Sequence, residues 1–382
     1  MSVRGEGKNH ILITGGAGFI GSHLAGMAIA ADHQVTIIDN LSSQVHGAEP
    51  NFRPSRGVNF IEGDVTVRAD LERALEGVDT VIHLAADTGT GQSMYEIERY
   101  YRVNVQGTAL LFDILMNKSY GVSNFVLASS RSVYGEGAYL CHSCGPGGRR
   151  CFPSPRSPQQ LAKHDWSPRC PDCGSSVEPA ATREDDRLAP ASIYAATKLA
   201  QEDLVRIGCR SLGIPHAILR FQNVFGEGQS LNNPYTGILS IFSTRFRLGL
   251  PIDIFEDGEE SRDFIHVEDV ASAVLICARK AIADVTLNVG RGEPVTVMAL
   301  ARLLGRHLGS EVEAAATGRY RVGDIRHNFA DISRFEATTG FKPRISLEEG
   351  LKRFCDWVSA QPLPDDLLGT ANAELVARKL MG

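Results

Sequence analysis

Tyr194 and Lys198 stand four residues apart in Y-A-A-T-K, a spacing that puts both side chains on one face of a helix. An ammonium there stabilises a phenolate that otherwise forms only near pH 10, so the pair can move protons at neutral pH. Alone, the spacing is a weak signal, because exposed helices carry many such neighbours. A glycine motif near the start of the chain gives it weight. Thr14 to Gly21 reads T-G-G-A-G-F-I-G, with Gly15, Gly18 and Gly21 at three-residue intervals. That interval permits a sharp turn, close approach of a pyrophosphate to the backbone, and tight packing of helix on strand. The anion would sit at the helix N-terminus, by Gly18, Phe19 and Ile20. Asp39, eighteen residues after Gly21, is placed to accept both hydroxyls of an adenosine ribose, with Asn40 beside it. Its charge repels a 2′-phosphate, so the cofactor expected is NAD rather than NADP.

Two C-x-x-C knuckles form a second reactive set: Cys141-His142-Ser143-Cys144 and Cys170-Pro171-Asp172-Cys173. Four thiolates so arranged suit one tetrahedral, structural zinc of the ribbon type. Paired disulfides are the alternative, disfavoured where thiols are kept reduced. Cys151, His142 and His164 are spare ligands outside this first set. Cys209, Cys277 and Cys355 lie in helix-like segments and read as core residues.

The elements that must hold these residues alternate strand and helix. Residues 10–14 form an apolar run ending at the glycines, 19–31 a helix with small residues on one side, and 34–38 a second strand ending at Asp39. A third strand, 58–62, leads to Asp64 and Val65, and 81–86 closes on Leu84, Ala85 and Ala86. His83 within it reads as a packed strand histidine. Strands ending in Asp or Ala-Ala fit a parallel sheet whose carboxyl edges face one dinucleotide. The expected fold is thus α/β, a Rossmann-like doubly wound parallel sheet.

With 382 residues the chain is long enough for two domains or one domain with a lobe. The net charge of −6, without a long basic run, suggests no nucleic-acid partner. No stretch is apolar for the length of a membrane span, and the N-terminus lacks a signal-peptide core, so no membrane partner and a cytoplasmic location are expected.

Further strings follow in order: H-L-A-A at 83–86, V-N-V-Q-G-T at 103–108, S-S-R-S-V-Y-G at 129–135, then Y-A-A-T-K. With the glycine motif, they make the chain resemble the extended short-chain dehydrogenases/reductases, in particular their nucleotide-sugar epimerases and dehydratases. The resemblance covers all but the cysteine-rich stretch and the last twenty or so residues. It implies that Ser130 binds the sugar oxygen that Tyr194 deprotonates, while Lys198 holds the nicotinamide ribose and lowers the tyrosine pKa. It further implies that Asn223, Arg262, Arg321 and Asp324 contact the sugar, diphosphate or ribose of a nucleotide-sugar substrate. The bottom-up alternative for Ser130 is a serine capping a turn.

Dehydratases of this family carry Thr-Asp-Glu before V-Y-G, and UDP-glucuronate decarboxylases a glutamate. This chain has Ser130-Arg131-Ser132, so the resemblance implies a 4-epimerase working through a transient 4-keto sugar. The S-S-R-S-V-Y-G-E-G string, the insertion and G-Q-S-M-Y at 91–95 are most similar to family members acting on dTDP-L-rhamnose, a dTDP-6-deoxy-L-hexose. A UDP-hexose or UDP-uronate 4-epimerase or a decarboxylase is the alternative enzyme. An NAD-binding sensor gripping a partner through the cysteine-rich module is the non-enzymatic one, against which the complete Ser130, Tyr194 and Lys198 set speaks.

The expected organisation is an NAD-binding Rossmann domain over 8–220, interrupted by a zinc-ribbon-like insertion at 138–182, a substrate lobe at 221–360, and a helical tail at 361–382. Turns are expected at 290–294 and 341–343, and an amphipathic helix at 365–381. The resemblance also implies a homodimer built on helices around 104–116 and 194–211.

Overall fold

The computed structural model describes residues 8–47, 50, 52–231, 233, 237–279, 282, 284–363, 366 and 368–382. Seven strands form the central sheet: β1 (His10–Thr14), β2 (Gln34–Asp39), β3 (Val58–Glu62), β4 (Thr80–His83), β5 (Asn124–Ser130), β6 (His216–Phe221) and β7 (Val285–Val289). Their order is β7-β6-β5-β4-β1-β2-β3, and every neighbouring pair is parallel. This is the doubly wound arrangement expected. Chain order reverses between β1 and β4, and the crevice at that switch point is where such sheets bind ligands.

A parallel sheet is covered on both faces, and its strands are accordingly apolar throughout. Alternation along each strand divides them between two cores. Ile11, Ile13, Ile37 and Val126 pack with Leu24 and Ala28 of α1 (Phe19–Ala30), and with Val270 and Val274 from further along the chain. Leu12, Ile38, Phe125 and Leu127 face the other way, onto Leu111 and Phe112 of α2 (Gly107–Asn117) and Val205 and Cys209 of α3 (Ile193–Leu212). Val270 and Val274 belong to α4 (Val267–Arg279). Both α4 and β7 come from the range read as substrate lobe, because the chain leaves the sheet after β6 and returns to add an outer strand.

The smaller lobe has its own core, with Phe225, Phe242, Phe246, Phe264, Leu300, Leu304, Leu351 and Phe354 buried together. Its strand Ser261–His266 pairs with Asn223–Phe225, Pro294–Thr296 and His327–Asn328. The turn at 290–294 is pinned by Asp263, whose carboxylate accepts the amides of Arg291, Gly292 and Ala330.

The insertion is a three-stranded antiparallel sheet, with Tyr139–Cys141 between Arg149–Cys151 and Glu178–Pro179. Tyr139, Cys141, Cys151 and Cys170 form its small core. Of the C-terminal stretch 365–381, residues 365 and 367 lie outside the described residues; the helix there is Leu368–Ala377. No helix among the described residues is long and apolar enough to cross a membrane.

Candidate active site

A cleft of about 600 Å³ opens along the carboxyl edge of the sheet. Its wall includes every residue expected to hold the dinucleotide: Gly15, Gly18, Phe19, Ile20, Gly21, Asp39, Asn40, Asp64, Val65, Leu84, Ala85, Ala86, Tyr194 and Lys198. The turn after β1 is tight because Gly15, Gly16 and Gly18 in it have no side chains. Gly15 has φ +68°, and a Cβ there would stand 2.8 Å from the Ala85 amide nitrogen. A Cβ on Gly21 would stand 2.5 Å from the Gly15 carbonyl oxygen. The α1 N-cap is Gly18, with no side-chain cap, so the first-turn amides face the cleft as an anion site.

At the end of β2, Asp39 accepts the Ala17 amide at 3.1 Å and the Leu41 amide at 2.9 Å, with His46 at 3.7 Å. The Asp64 carboxylate accepts the amide and hydroxyl of Thr66 and the side-chain amide of Asn40. Burial opposes its charge, but the Thr66 and Asn40 bonds outweigh that and hold the carboxyl below the usual range. β4 stops at His83, so Leu84 to Ala86 leave the ladder to face the glycine turn. His83 bonds Thr14 and Thr108, and burial drives its pKa to about 3. It is a neutral packed histidine, as expected.

Ser130, Tyr194 and Lys198, the residues expected to move the proton, line the same cleft. Ser192 caps α3 by accepting the Ala195 amide at 3.1 Å. Tyr194 therefore sits in the first turn and Lys198 one turn on, its Nζ 6.0 Å from the tyrosine ring centre. Ser93 Oγ accepts the Tyr194 amide at 3.0 Å, and Asn104 of the V-N-V-Q-G-T string donates to Thr197 at 3.0 Å. Ser130 stands at the end of β5, near enough to the Tyr194 hydroxyl to favour its deprotonated form. Ser130 Oγ also accepts the Ser132 amide at 3.2 Å, so its capping role and its place beside the tyrosine coexist. Burial raises the Tyr194 pKa, against the pull of Ser130 and then Arg131. Burial also lowers Lys198 to about 7, opposed by Glu202; its Nζ donates to the Ala128 carbonyl at 3.0 Å.

The expected substrate residues divide. Asn223 lines the cleft and accepts from Arg131 Nε at 2.7 Å. Arg262 is buried and turned to the backbone, donating to the carbonyls of Ser261, Ile325 and Arg326. Arg321 lies over the Phe255 ring and donates to Asn372 of the C-terminal helix at 3.0 Å. Asp324 is near enough to Arg131 and Arg321 to favour their charges. Arg262, Arg321 and Asp324 are not among the residues that line this cleft.

Sequence reasoning missed Ser42, His46, Asp87 and Arg99 as lining residues. Arg99 forks onto Asp87 at 2.8 and 2.9 Å and reaches Gln44 at 3.0 Å; no local pattern marks that pairing. Arg131, the middle residue of Ser130-Arg131-Ser132, has no role assigned from the sequence. It lines the cleft, and burial followed by the Arg262 charge lowers its pKa to about 9.

In the insertion, the Sγ atoms of Cys141, Cys144, Cys170 and Cys173 all lie within 4.8 Å of one another. Cys141 to Cys173 is 3.5 Å, Cys144 to Cys170 3.7 Å and Cys144 to Cys173 3.4 Å. A tetrahedron with metal–sulfur bonds of about 2.3 Å has edges of about 3.8 Å, whereas a disulfide needs about 2.05 Å. The spare histidines are engaged elsewhere, His142 with Glu178 and His164 against Trp166. Cys209, Cys277 and Cys355 are buried core residues, as expected.

The sequence matches the NAD dependent epimerase/dehydratase family over residues 11–165 and 171–290. It is 38% identical over 363 residues to the dTDP-L-rhamnose 4-epimerase of Burkholderia thailandensis, covering 93% of this chain and 96% of that one. UDP-glucose 4-epimerase of Thermotoga maritima, solved with UDP-glucose, superposes with a TM-score of 0.74 at 30% identity, covering 92% of this chain and 98% of that one. UDP-glucose 4-epimerase of Thermus thermophilus, solved with NAD, gives 0.70 at 26% identity, covering 92% and 100%.

Proposed function

We propose that this chain, which belongs to the NAD dependent epimerase/dehydratase family, inverts C4 of a nucleotide sugar through a transient 4-keto sugar. The observation that carries this reading is the meeting of Ser130, Tyr194 and Lys198 in the cleft that the glycine turn opens. NAD fits that cleft: the uncapped α1 N-terminus suits its pyrophosphate, Asp39 and Asn40 a ribose, and Lys198 the nicotinamide ribose. When bound, it supplies a hydride acceptor that later returns the hydride.

Tyr194 takes the proton of the C4 hydroxyl and gives it back after the sugar has turned. Ser130 orients that oxygen by hydrogen bonding, and Lys198 stabilises the phenolate. The cleft's carboxylates support epimerisation over elimination. Asp39 and Asp64 lie at the ribose end, and Asp87 is engaged by Arg99. Ser130, Arg131, Gln222 and Asn223, which line the same cleft as Tyr194, carry no carboxyl and cannot expel a C6 hydroxyl as a carboxylic acid would.

Likeness to the Burkholderia enzyme supports a dTDP-6-deoxy-L-hexose as substrate. A UDP-uronate is the second reading, favoured by the Arg131 guanidinium in the cleft lining, which suits a carboxylate; a UDP-hexose is the neutral-sugar alternative. A panel of nucleotide sugars separates them. Run in deuterated water, the reaction should give a product of unchanged mass with no deuterium on carbon. Label at C5, or loss of water or carbon dioxide, moves the protein to the dehydratase or decarboxylase class.

The cysteine cluster fits one structural zinc held by Cys141, Cys144, Cys170 and Cys173, with no position left for a reacting water. Such a thiolate site suits a reducing compartment, the cytoplasm. A homodimer through α2 and α3 is supported by Met116 and Ile207, apolar side chains exposed on these two helices. Light scattering on the purified protein tests it, and a monomer at micromolar concentration refutes it.

A further inference from the structure

A cluster of buried charges lies where the insertion meets the smaller lobe. Arg156, just after strand Arg149–Cys151, is 5% exposed, and Glu136 and Glu256 are 3% each. The guanidinium reaches several parts of the chain. Its Nη1 donates to Glu256 at 2.6 Å and to the Trp166 carbonyl at 3.2 Å, and its Nη2 donates to the Asp324 carbonyl at 2.8 Å. Its Nε faces Glu136 at 3.4 Å. Glu136 follows the Ser130 to Tyr134 turn by two residues and accepts the Arg326 amide at 2.8 Å. Arg326 also donates to Glu256 at 3.0 Å and forks onto Asp257 at 2.7 and 2.8 Å. One side chain of the insertion therefore joins the end of the catalytic turn, the lobe, and the 321–324 segment.

That segment is held from its other flank by the chain's end. Tyr320 N donates to the Gly382 carbonyl at 2.7 Å and Val322 N to the Leu380 carbonyl at 3.0 Å. Trp166 of the insertion lies against Tyr320, ring centres 6.3 Å apart. Gly323 abuts the start of α3: a Cβ there would stand 3.4 Å from the carbonyl of Ala191, three residues before Tyr194. Dehydrating several charges brings little net stability over apolar packing, so this cluster is better accounted for by the geometry it fixes.

We propose that Arg156 is a positioning residue for the substrate site, through which the insertion holds residues 321–324 where Arg321 and Asp324 meet the nucleoside diphosphate. This rests on the nucleotide-sugar reading above. Arg156→Met leaves Glu136 and Glu256 in place but removes the donors that fix the Asp324 carbonyl. Arg156→Lys keeps a cation among the carboxylates and loses the fork.

The test is calorimetric titration of the full-length protein with UDP and with dTDP, alongside kcat, KM, bound NAD and melting temperature. Displacing a binding segment slightly is expected to weaken diphosphate affinity and raise KM by about tenfold or more in Arg156→Met. There kcat should stay within about threefold and NAD content should be unchanged. Arg156→Lys should show a smaller weakening at a melting temperature near wild type, which keeps the test open if the methionine variant does not fold. Wild-type diphosphate affinity in the lysine variant and in any folded methionine variant overturns the proposal. So does a parallel fall in affinity, kcat and NAD content, which marks general loosening. Arg321→Ala separates the two readings. Unchanged affinity there refutes the diphosphate role of the segment itself, whereas weakened affinity there with intact Arg156 variants removes the positioning role alone.

Discussion

Replacing Lys198 by methionine keeps the length of the side chain and removes the ammonium from the neighbourhood of Tyr194. The two are separated by 6.0 Å, measured from Nζ to the ring centre. Unit charges at that distance, in an effective dielectric of about 20, attract by about 3 kcal/mol. The phenolate population at fixed pH should then fall about a hundredfold. The phenolate is the deprotonated form and the ammonium favours it, so its loss moves the acidic limb of the rate profile to higher pH. Burial lowers the lysine pKa to about 7, and its charge acts on the phenolate only while it is protonated. The contrast with wild type should therefore be greatest below that pH. The assay is kcat against pH at saturating nucleotide sugar and NAD, with Lys198→Arg as a variant that keeps the charge and recovers part of the rate. An unmoved acidic limb, with kcat reduced less than about fivefold, would refute the electrostatic role.

Tyr194→Phe should retain NAD and lose turnover, since the ring still packs but cannot take a proton; a purified variant with more than a few per cent of wild-type rate removes Tyr194 as the base. Asp39 presents a carboxylate where a 2′-phosphate would lie, so cofactor released on denaturation should be NAD by mass spectrometry, and predominant NADP overturns that reading. Cys170→Ser should lower zinc content and loosen the segment from 138 to 182, with activity falling only as far as that segment shapes the site. Less than about half a zinc per wild-type chain, or a mass deficit showing paired disulfides, excludes the metal site.

Much of the cofactor half was legible in the sequence because its signals are local. Gly15, Gly18 and Gly21 act within a single strand–turn–helix unit, Asp39 and Asp64 stand at strand ends, and Tyr194 and Lys198 share a face through helical periodicity alone. The two cysteine knuckles are also short motifs, and the chain brings their four sulfurs together. What the sequence left open depends on long flexible side chains and on segments meeting across roughly fifty residues or more. An arginine reaches carbonyls or carboxylates in several directions, so only packing decided that Arg262 turns to the backbone while Arg131 faces the cleft and bonds Asn223. The return of α4 and β7 to the sheet was likewise settled by which apolar faces needed covering. The tail's Asn372 on Arg321 and the insertion's Arg156 on Asp324 carry no pattern of their own. Their partners are neighbours only in space, and a motif records only neighbours along the chain.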